Sequence, residues 1–291
     1  MAAAFALASS LLWGGGDFLG GRATRARSVL VVLAWSQLAM LLLLWTTIGV
    51  LAATTDFQVP LHAVLVGALG GAAGVIGLGA FYRALAAGPM SVVPPIAAAG
   101  VALPVAVGLA SGGTDASAIV VAGLVLAIVG IILASIGEGS SSDHTLATRI
   151  APATLGLCLV AAIGFGLIFV AMDRAAGDDM ATALVATGGV RAGSVLLVLG
   201  AAVASRARLR AGVGRRELGG FVVIGLLDTG ANLCFAIAAA TGELAIVAVL
   251  GSLYPAVTSG LAHVVLGERL GRVQLVGAAC AIGGVMLLAL R

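Results

Sequence analysis

Charged side chains are rare in this sequence, and three of them interrupt long apolar runs. Asp17, Arg191 and Asp228 each lie among apolar neighbours, and Asn232 follows Asp228 by four residues. Residues four apart share one face of a helix, so Asp228 and Asn232 together offer a carboxylate and an amide to a proton, a cation or a polar ligand. A buried arginine needs a counter-charge, and Asp228 or an anionic ligand group would supply it for Arg191.

The composition places these groups in a membrane protein. Of the 291 residues, 61% are hydrophobic and 9% are charged, and the mean hydropathy is +1.20. Soluble domains carry about 25% charged residues, so a soluble enzyme, a nucleic-acid-binding protein and a disordered chain are excluded. The apolar runs are long and continuous, which predicts helices rather than the alternating strands of a barrel. An ionisable group inside such a span costs about 2.5–3.5 kcal/mol, which makes each one a functional candidate.

Ten apolar runs are each long enough to cross a hydrocarbon core of about 30 Å. The fold class expected is an all-α integral membrane protein with spans at 2–21, 29–52, 61–86, 89–111, 117–136, 151–172, 180–204, 217–240, 244–265 and 271–290. A polar stretch at 137–150 separates two five-helix units, 1–136 and 151–291.

The two units resemble each other at a near-constant spacing. Trp13-Gly14 and Phe165-Gly166 are 152 residues apart, and Pro104 and Pro255 are 151 apart. Five helices per repeat is an odd number, so the second copy must enter the membrane inverted. Twelve arginines fall in the loops after the odd-numbered helices and two on the opposite side, which predicts cytoplasmic odd loops and external termini.

Inverted repeats with interrupted helices are typical of secondary transporters, whose ligands bind near the membrane centre. The fourth and ninth predicted helices carry Pro94, Pro95, Pro104, Gly251 and Pro255. Each proline removes one helical hydrogen bond and frees a carbonyl group for a ligand or for bending. The alternative is that these are tolerated kinks without a function.

Aromatic and amide side chains inside the spans have two interpretations each. Trp13, Tyr82 and Tyr254 would either contact a ligand in a central cavity or pack as ordinary core residues. Gln37, beside Ser36 in the second helix, would either line that cavity or bond between helices.

Two further carboxylates are expected near helix ends. Asp17 lies one turn from Arg22 by the expected bounds, so it is either functional or a helix-end charge that reaches the interface. Glu268 precedes the tenth helix, where its charge would suit the helix N-terminus. The cysteines and histidines form no metal-binding pattern, so neither a metal nor another cofactor is expected.

Several short motifs resemble the EamA family of the drug/metabolite transporter superfamily. They are Trp13-Gly14, Ala-Leu-Ala-Ala-Gly at 84–88, Ser-Leu-Tyr-Pro at 252–255, Leu-Gly-Glu-Arg-Leu at 266–270, and Gln274 followed by Gly277. The resemblance covers nearly the whole chain as two copies. The first copy departs at 111–115, where Ser-Gly-Gly-Thr-Asp stands in place of Gly267-Glu268.

The resemblance implies a transporter of the cytoplasmic (inner) membrane and not an enzyme. Its ligand would be a small metabolite, an amino acid or a drug, moved by alternating access, with protons as a candidate coupling ion and export as a candidate direction. It also implies cytoplasmic termini, opposite to the arginine rule. The bilayer is the expected partner, nucleic acid is not, and a homodimer is left open.

Two other functions fit the same residues. A lipid or nucleotide-sugar carrier would share the fold, because the interior is too apolar to specify a ligand. An intramembrane aspartyl protease would use Asp17 and Asp228 as two facing carboxylates that share a proton. A channel is disfavoured, because no repeated ring of carbonyls or charges is present.

Overall fold

The computed structural model describes residues 2–103, 106–107, 117–135, 151–176, 180–210, 212–241, 251, 253–268 and 271–289. Within them the chain is helical throughout and forms no strand. The helices are α1 Ala2–Ala26, α2 Val29–Thr54, α3 Leu61–Ala87, α4 Val93–Ala97, α5 Ala118–Ser135, α6 Pro152–Ala176, α7 Met180–Ala204, α8 Arg215–Thr241, α9 Tyr254–Leu266 and α10 Arg272–Ala289. A 3₁₀ turn, Ala98–Val101, follows α4 directly.

Five segments of these helices are long and apolar enough to cross a membrane. They are Val29–Thr54, Leu61–Ala87, Pro152–Met172, Ala181–Ala204 and Arg215–Phe235. The helix α1 is not among them. An all-helical integral membrane protein is therefore supported, while ten crossings in two inverted repeats remain a prediction.

The bounds differ from expectation where prolines or charges interrupt the apolar pattern. The first helix continues to Ala26, so Asp17 lies in its interior and not near its end. The expected helix 89–111 is a turn followed by α4, and Pro94 and Pro95 occupy its first turn. Pro255 likewise stands in the first turn of α9. Proline fits that position because the first-turn N–H groups lack helical partners anyway, so each of these prolines stands where a described helix begins. Their role as hinges stays a prediction. Pro104 lies outside the described residues.

Glycines allow the central helices to approach each other closely. Helix α3 packs against α6 and α7, and α1 packs against α8 and α9. Gly71 of α3 lies against the carbonyl oxygen of Val190 in α7, and Gly193 lies against the carbonyl oxygen of Ala68. A Cβ on either glycine would overlap that backbone. Small residues at helix crossings are the usual means of packing helices in membranes.

Candidate functional site

An ion pair joins three helices in the interior. Arg191 of α7 donates from Nη1 to Oδ2 of Asp228 in α8 at 2.6 Å, and from the same nitrogen to Oε1 of Gln37 in α2 at 2.8 Å. The arginine is 5% exposed. The prediction that Asp228 is the counter-charge of Arg191 is confirmed. Gln37 serves as an interhelical hydrogen-bond acceptor, the second of the roles considered for it.

One donor of this ion pair has no acceptor. Arg191 Nε is buried and has no hydrogen-bond partner among the described residues. Asn232 donates from Nδ2 to the carbonyl oxygen of Asp228 at 2.6 Å and lies 3.5 Å from its Oδ1. An unpaired buried donor costs about 1–3 kcal/mol. The arrangement in which only Nη1 of Arg191 donates therefore leaves the Nε–H of the same guanidinium unbonded at that cost. We call Gln37, Arg191, Asp228 and Asn232 the Arg191 cluster.

A second group of polar side chains surrounds one face of α1. Trp13, Asp17 and Gly20 follow one another at helical spacing along this face. The ring of Trp13 lies 5.7 Å from that of Phe235 and 6.2 Å from that of Tyr254, between centroids. Gly20 has no side chain, and the hydroxyl end of Tyr82 lies against it.

Asp17 stands between two glycines that place its neighbours. Gly16 lies against the backbone nitrogen of Asp228, and Gly20 lies against the ring of Tyr82. Asp17 lies in the interior of α1 and not at the helix end, which was one of the two alternatives considered for it. We call Trp13, Asp17, Tyr82, Phe235 and Tyr254 the α1 site.

The two groups differ in how far their polar atoms are satisfied. No hydrogen bond or ion pair joins the side-chain polar atoms of Trp13, Asp17, Tyr82 and Tyr254 to another described residue, and none of these atoms is among the fully buried ones that lack a partner. Tyr82 is only 2% exposed. Trp13, Asp17 and Tyr254 are half-buried, so their unpaired polar atoms are open to a ligand or water that can complete the bonding.

The helix α9 forms a wall of the α1 site. A Cβ on Gly14 would lie 2.5 Å from Cβ of Val257 and 2.9 Å from the carbonyl oxygen of Tyr254. The hydroxyl of Thr258 donates to the carbonyl oxygen of Gly14 at 3.2 Å. Glycine at position 14 therefore sets the distance between α1 and the first turn of α9.

The predicted hinge residues divide between this wall and a position farther away. Gly251 lies against the ring of Phe235, because a Cβ added to Gly251 would be 3.0 Å from Cε2 of that ring. Pro255 is buried in the same wall, next to Tyr254. Pro94 and Pro95 lie in α4 instead. A cavity of about 280 Å³ near α4 is lined by small and apolar residues of the 3₁₀ turn and α6 and offers no polar side chain.

Glu268 has a role that the sequence did not predict. Its carboxylate accepts hydrogen bonds from the backbone N–H of Met90 at 3.2 Å, from the N–H and hydroxyl of Ser91 at 3.0 Å each, and from Arg25 Nη2 at 3.4 Å. Ser259 donates to the carbonyl oxygen of Ser91 at 2.7 Å. The carboxylate thus binds the turn before α4. The sequence had instead predicted a position at the N-terminus of α10. We call this group the Glu268 bridge.

A second bridge lies at the same end of the helices. Arg27 donates from Nε and Nη2 to the two carboxylate oxygens of Glu217 at 2.8 and 2.7 Å, and also contacts the carbonyl oxygen of Gly212. The hydrogen bonds to Glu217 raise the pKa of the Arg27 guanidinium. Trp35 donates to the carbonyl oxygen of Leu209 at 3.0 Å. This Arg27 bridge joins the end of α1 to the start of α8, on the arginine-rich side.

These features define a class of protein: a helical membrane protein with polar groups enclosed between its helices. Residues 153–290 match the model of the EamA-like transporter family. The resemblance seen in the short motifs is thereby confirmed. A match to this family implies a membrane transporter of the drug/metabolite type.

Other comparisons bear on the fold alone. Comparison with curated proteins gave no match. A solved structure entitled "Crystal structure of protein" is similar with a TM-score of 0.63 and 20% sequence identity, over 98% of this chain and 95% of its own. The similarity shows that nearly the whole chain, and not only residues 153–290, shares the fold of that protein.

Proposed function

We propose that the protein is a secondary active transporter that carries a small organic molecule across the cytoplasmic membrane by alternating access, with the α1 site as its binding site. The observation that carries the proposal is the contrast between two neighbouring groups. The Arg191 cluster is held together by bonds from Arg191 Nη1 and Asn232 Nδ2, whereas the polar side chains of the α1 site bond no other described residue. A ligand would complete those bonds.

The pattern of helix contacts supports two inverted repeats. If α1–α5 correspond to α6–α10, each contact between two helices should recur between their counterparts. The contact of α3 with α6 should recur as a contact of α8 with α1. The contact of α3 with α7 should recur as a contact of α8 with α2. Both pairs of contacts are present. The contacts of α2 with α7 and of α5 with α10 each map onto themselves, as contacts across a twofold axis must.

Individual side chains repeat the same correspondence. Trp13 meets Phe235 at 5.7 Å between ring centroids, and Phe165 meets Phe81 at 5.6 Å. Phe165 is the counterpart of Trp13 in the sequence alignment of the two units. The counterpart contact joins α6 to α3 just as the first joins α1 to α8.

Backbone contacts give the register of the correspondence. Gly71 lies against the carbonyl oxygen of Val190, and Gly225 lies against that of Ser36. Gly225 stands 154 positions after Gly71, and Val190 stands 154 positions after Ser36.

The same register of 154 relates Gln37 to Arg191, which bond each other at 2.8 Å. Residues that meet their own counterparts lie at the axis between the halves. This argues that the Arg191 cluster is the centre about which the two halves move.

The bridges support a state that is closed at one end. Arg27 and Glu217 come from different halves, and so do Arg25 and Glu268. Both ion pairs lie on the arginine-rich side, which the arginine rule assigns to the cytoplasm. Alternating access requires these contacts to break when the other end closes.

The geometry of Asp228 disfavours the aspartyl protease. Such an enzyme needs two carboxylates that share a proton and activate water between them. Asp228 instead lies 2.6 Å from the Arg191 guanidinium. A lipid or nucleotide-sugar carrier has no specific observation in its favour.

The proposal is tested by following small molecules in cells that express the chain. Tyr82→Phe with Tyr254→Phe removes two hydroxyls that bond no other residue in the described part of the chain, so the double variant should fold and accumulate normally. Metabolite profiles of cells and medium are compared for this variant, the unaltered chain and Asp56→Asn, a change in the exposed α2–α3 loop.

We expect at least one small organic compound to be redistributed by the unaltered chain and by Asp56→Asn, and less so by the double variant. If no compound differs between the unaltered chain and cells without it, the proposed function is wrong. If the double variant redistributes the compound fully, the α1 site is not the binding site.

A further inference from the structure

We infer that the α1 site binds the cationic amino group of an organic molecule, with Asp17 as the counter-charge and the rings of Trp13, Phe235 and Tyr254 as the apolar wall. The inference rests on the proposed function, because it names the ligand class of that same site. It differs from the expectation based on sequence, in which Asp228 was the leading candidate.

The charges around the site do not balance. Asp17 on α1 is next to Gly16, which packs against the backbone of Asp228 on α8, and three residues before Gly20, which packs against the ring of Tyr82 on α3. Arg191 on α7 pairs with Asp228. With both carboxylates ionised, two negative charges meet one positive charge. The guanidinium is already engaged by Asp228 at 2.6 Å, so no positive charge among the residues described by the structure is left to compensate Asp17.

An uncompensated carboxylate in a membrane interior takes up a positive charge, which a proton, a metal ion or an organic cation can supply. It disfavours an anionic ligand, because that ligand would face Asp17 and find Arg191 occupied. The sign of the ligand charge therefore follows from the pairing of Arg191 with Asp228.

The surroundings of Asp17 select among the three cations. A metal ion such as Mg²⁺ or Ca²⁺ prefers six or more oxygen ligands, whereas here one free carboxylate stands among rings. A proton alone would need neither rings nor hydroxyls. An amine uses all of them: ammonium N–H groups bind a carboxylate and hydroxyl oxygens, and aromatic faces attract the cation.

The spacing along α1 brings these groups to one ligand. Trp13 precedes Asp17 by four residues and so lies one turn away on the same face. The rings of Phe235 and Tyr254 lie 5.7 and 6.2 Å from that of Trp13. A molecule with an amino group at Asp17 would place its apolar part between these rings, toward the N-terminal end of α1.

The test uses three probes that share a phenyl ring and differ in charge: 2-phenylethylamine, 2-phenylethanol and 3-phenylpropionate. Their binding to the purified full-length protein is measured by isothermal titration calorimetry at pH 7, in two buffers of different ionisation enthalpy. The variants are Asp17→Asn and, as the matched control, Asp56→Asn. The comparison of probes on the unaltered chain requires no variant to fold.

We expect the amine to bind more tightly than the alcohol and the carboxylate, and Asp17→Asn to weaken its binding at least about tenfold while Asp56→Asn leaves it unchanged. Release of about one proton on amine binding would show that a proton occupies Asp17 when the amine is absent.

Three results would overturn the inference. These are equal binding of the amine and the alcohol, undiminished binding of the amine to Asp17→Asn, and no binding of the amine at millimolar concentration. Tighter binding of 3-phenylpropionate, lost in the Tyr82→Phe/Tyr254→Phe variant, would overturn the charge of the ligand and leave the proposed transport site intact.

Discussion

Replacement of Asp228 by asparagine should destabilise the protein through the arginine that it leaves behind. The change keeps the shape of the side chain but removes the partner that Arg191 holds at 2.6 Å. Removing one partner of a buried ion pair costs about 3–5 kcal/mol. The side chain of Asp228 is 24% exposed, so we expect the lower end, about 3 kcal/mol.

The cost should largely disappear when the arginine is also neutralised. Arg191→Gln keeps a donor for Gln37, so Asp228→Asn with Arg191→Gln should cost about 2 kcal/mol less than the two single changes predict together. Equilibrium unfolding by dodecyl sulfate in mixed micelles measures all four proteins.

The matched control is the half-exposed Arg27–Glu217 pair, for which the same cycle should give a much smaller coupling. Additive losses in the Arg191–Asp228 cycle, or a stable Asp228→Asn single variant, would refute the assignment of this pair as the buried structural centre.

Three other changes have expected outcomes. Glu268→Ala should open the arginine-rich end, because Met90 and Ser91 lose their acceptor; a cysteine at buried Met90 should then react faster with a water-soluble maleimide. Gly71→Ala should lower the free energy of unfolding by dodecyl sulfate by about 1–3 kcal/mol, because its Cβ would overlap the backbone carbonyl of Val190. Gly49→Ala, with nothing within 4 Å, should instead be neutral or favourable. Asp17→Asn should raise the free energy of unfolding by roughly 0.5–2 kcal/mol, since it removes an uncompensated charge.

The positions of most helices were predictable from the sequence because membrane thickness fixes the length of apolar runs. The expected bounds 180–204 agree with α7, and 29–52 agree with α2 to within two residues. The Arg191–Asp228 pair was also predictable, because a buried arginine requires a counter-charge and few carboxylates were available.

The rest of the site depends on contacts between distant segments. Nothing near Glu268 in the sequence indicates that its carboxylate would meet residues 90 and 91, which are 178 and 177 positions away. The position of Asp17 in the interior of α1 was not predicted, because the apolar run ends at a glycine-rich segment although the helix continues to Ala26. Which side chains remain unpaired is visible only when all their neighbours are known.

The central claim is that the arginine-rich end opens and closes during transport. Ser259 Oγ lies 2.7 Å from the carbonyl oxygen of Ser91, so the two residues are neighbours across the halves. In a chain whose native cysteines Cys158, Cys234 and Cys280 are replaced, Ser91→Cys with Ser259→Cys should form a disulfide that holds this end closed.

The decisive measurement is flux through this double variant in proteoliposomes, before and after oxidation, with the compound identified by metabolite profiling. We predict that oxidation stops the flux, that a reducing agent restores it, and that neither single variant responds. Full flux through a protein with the disulfide formed would contradict alternating access at this end.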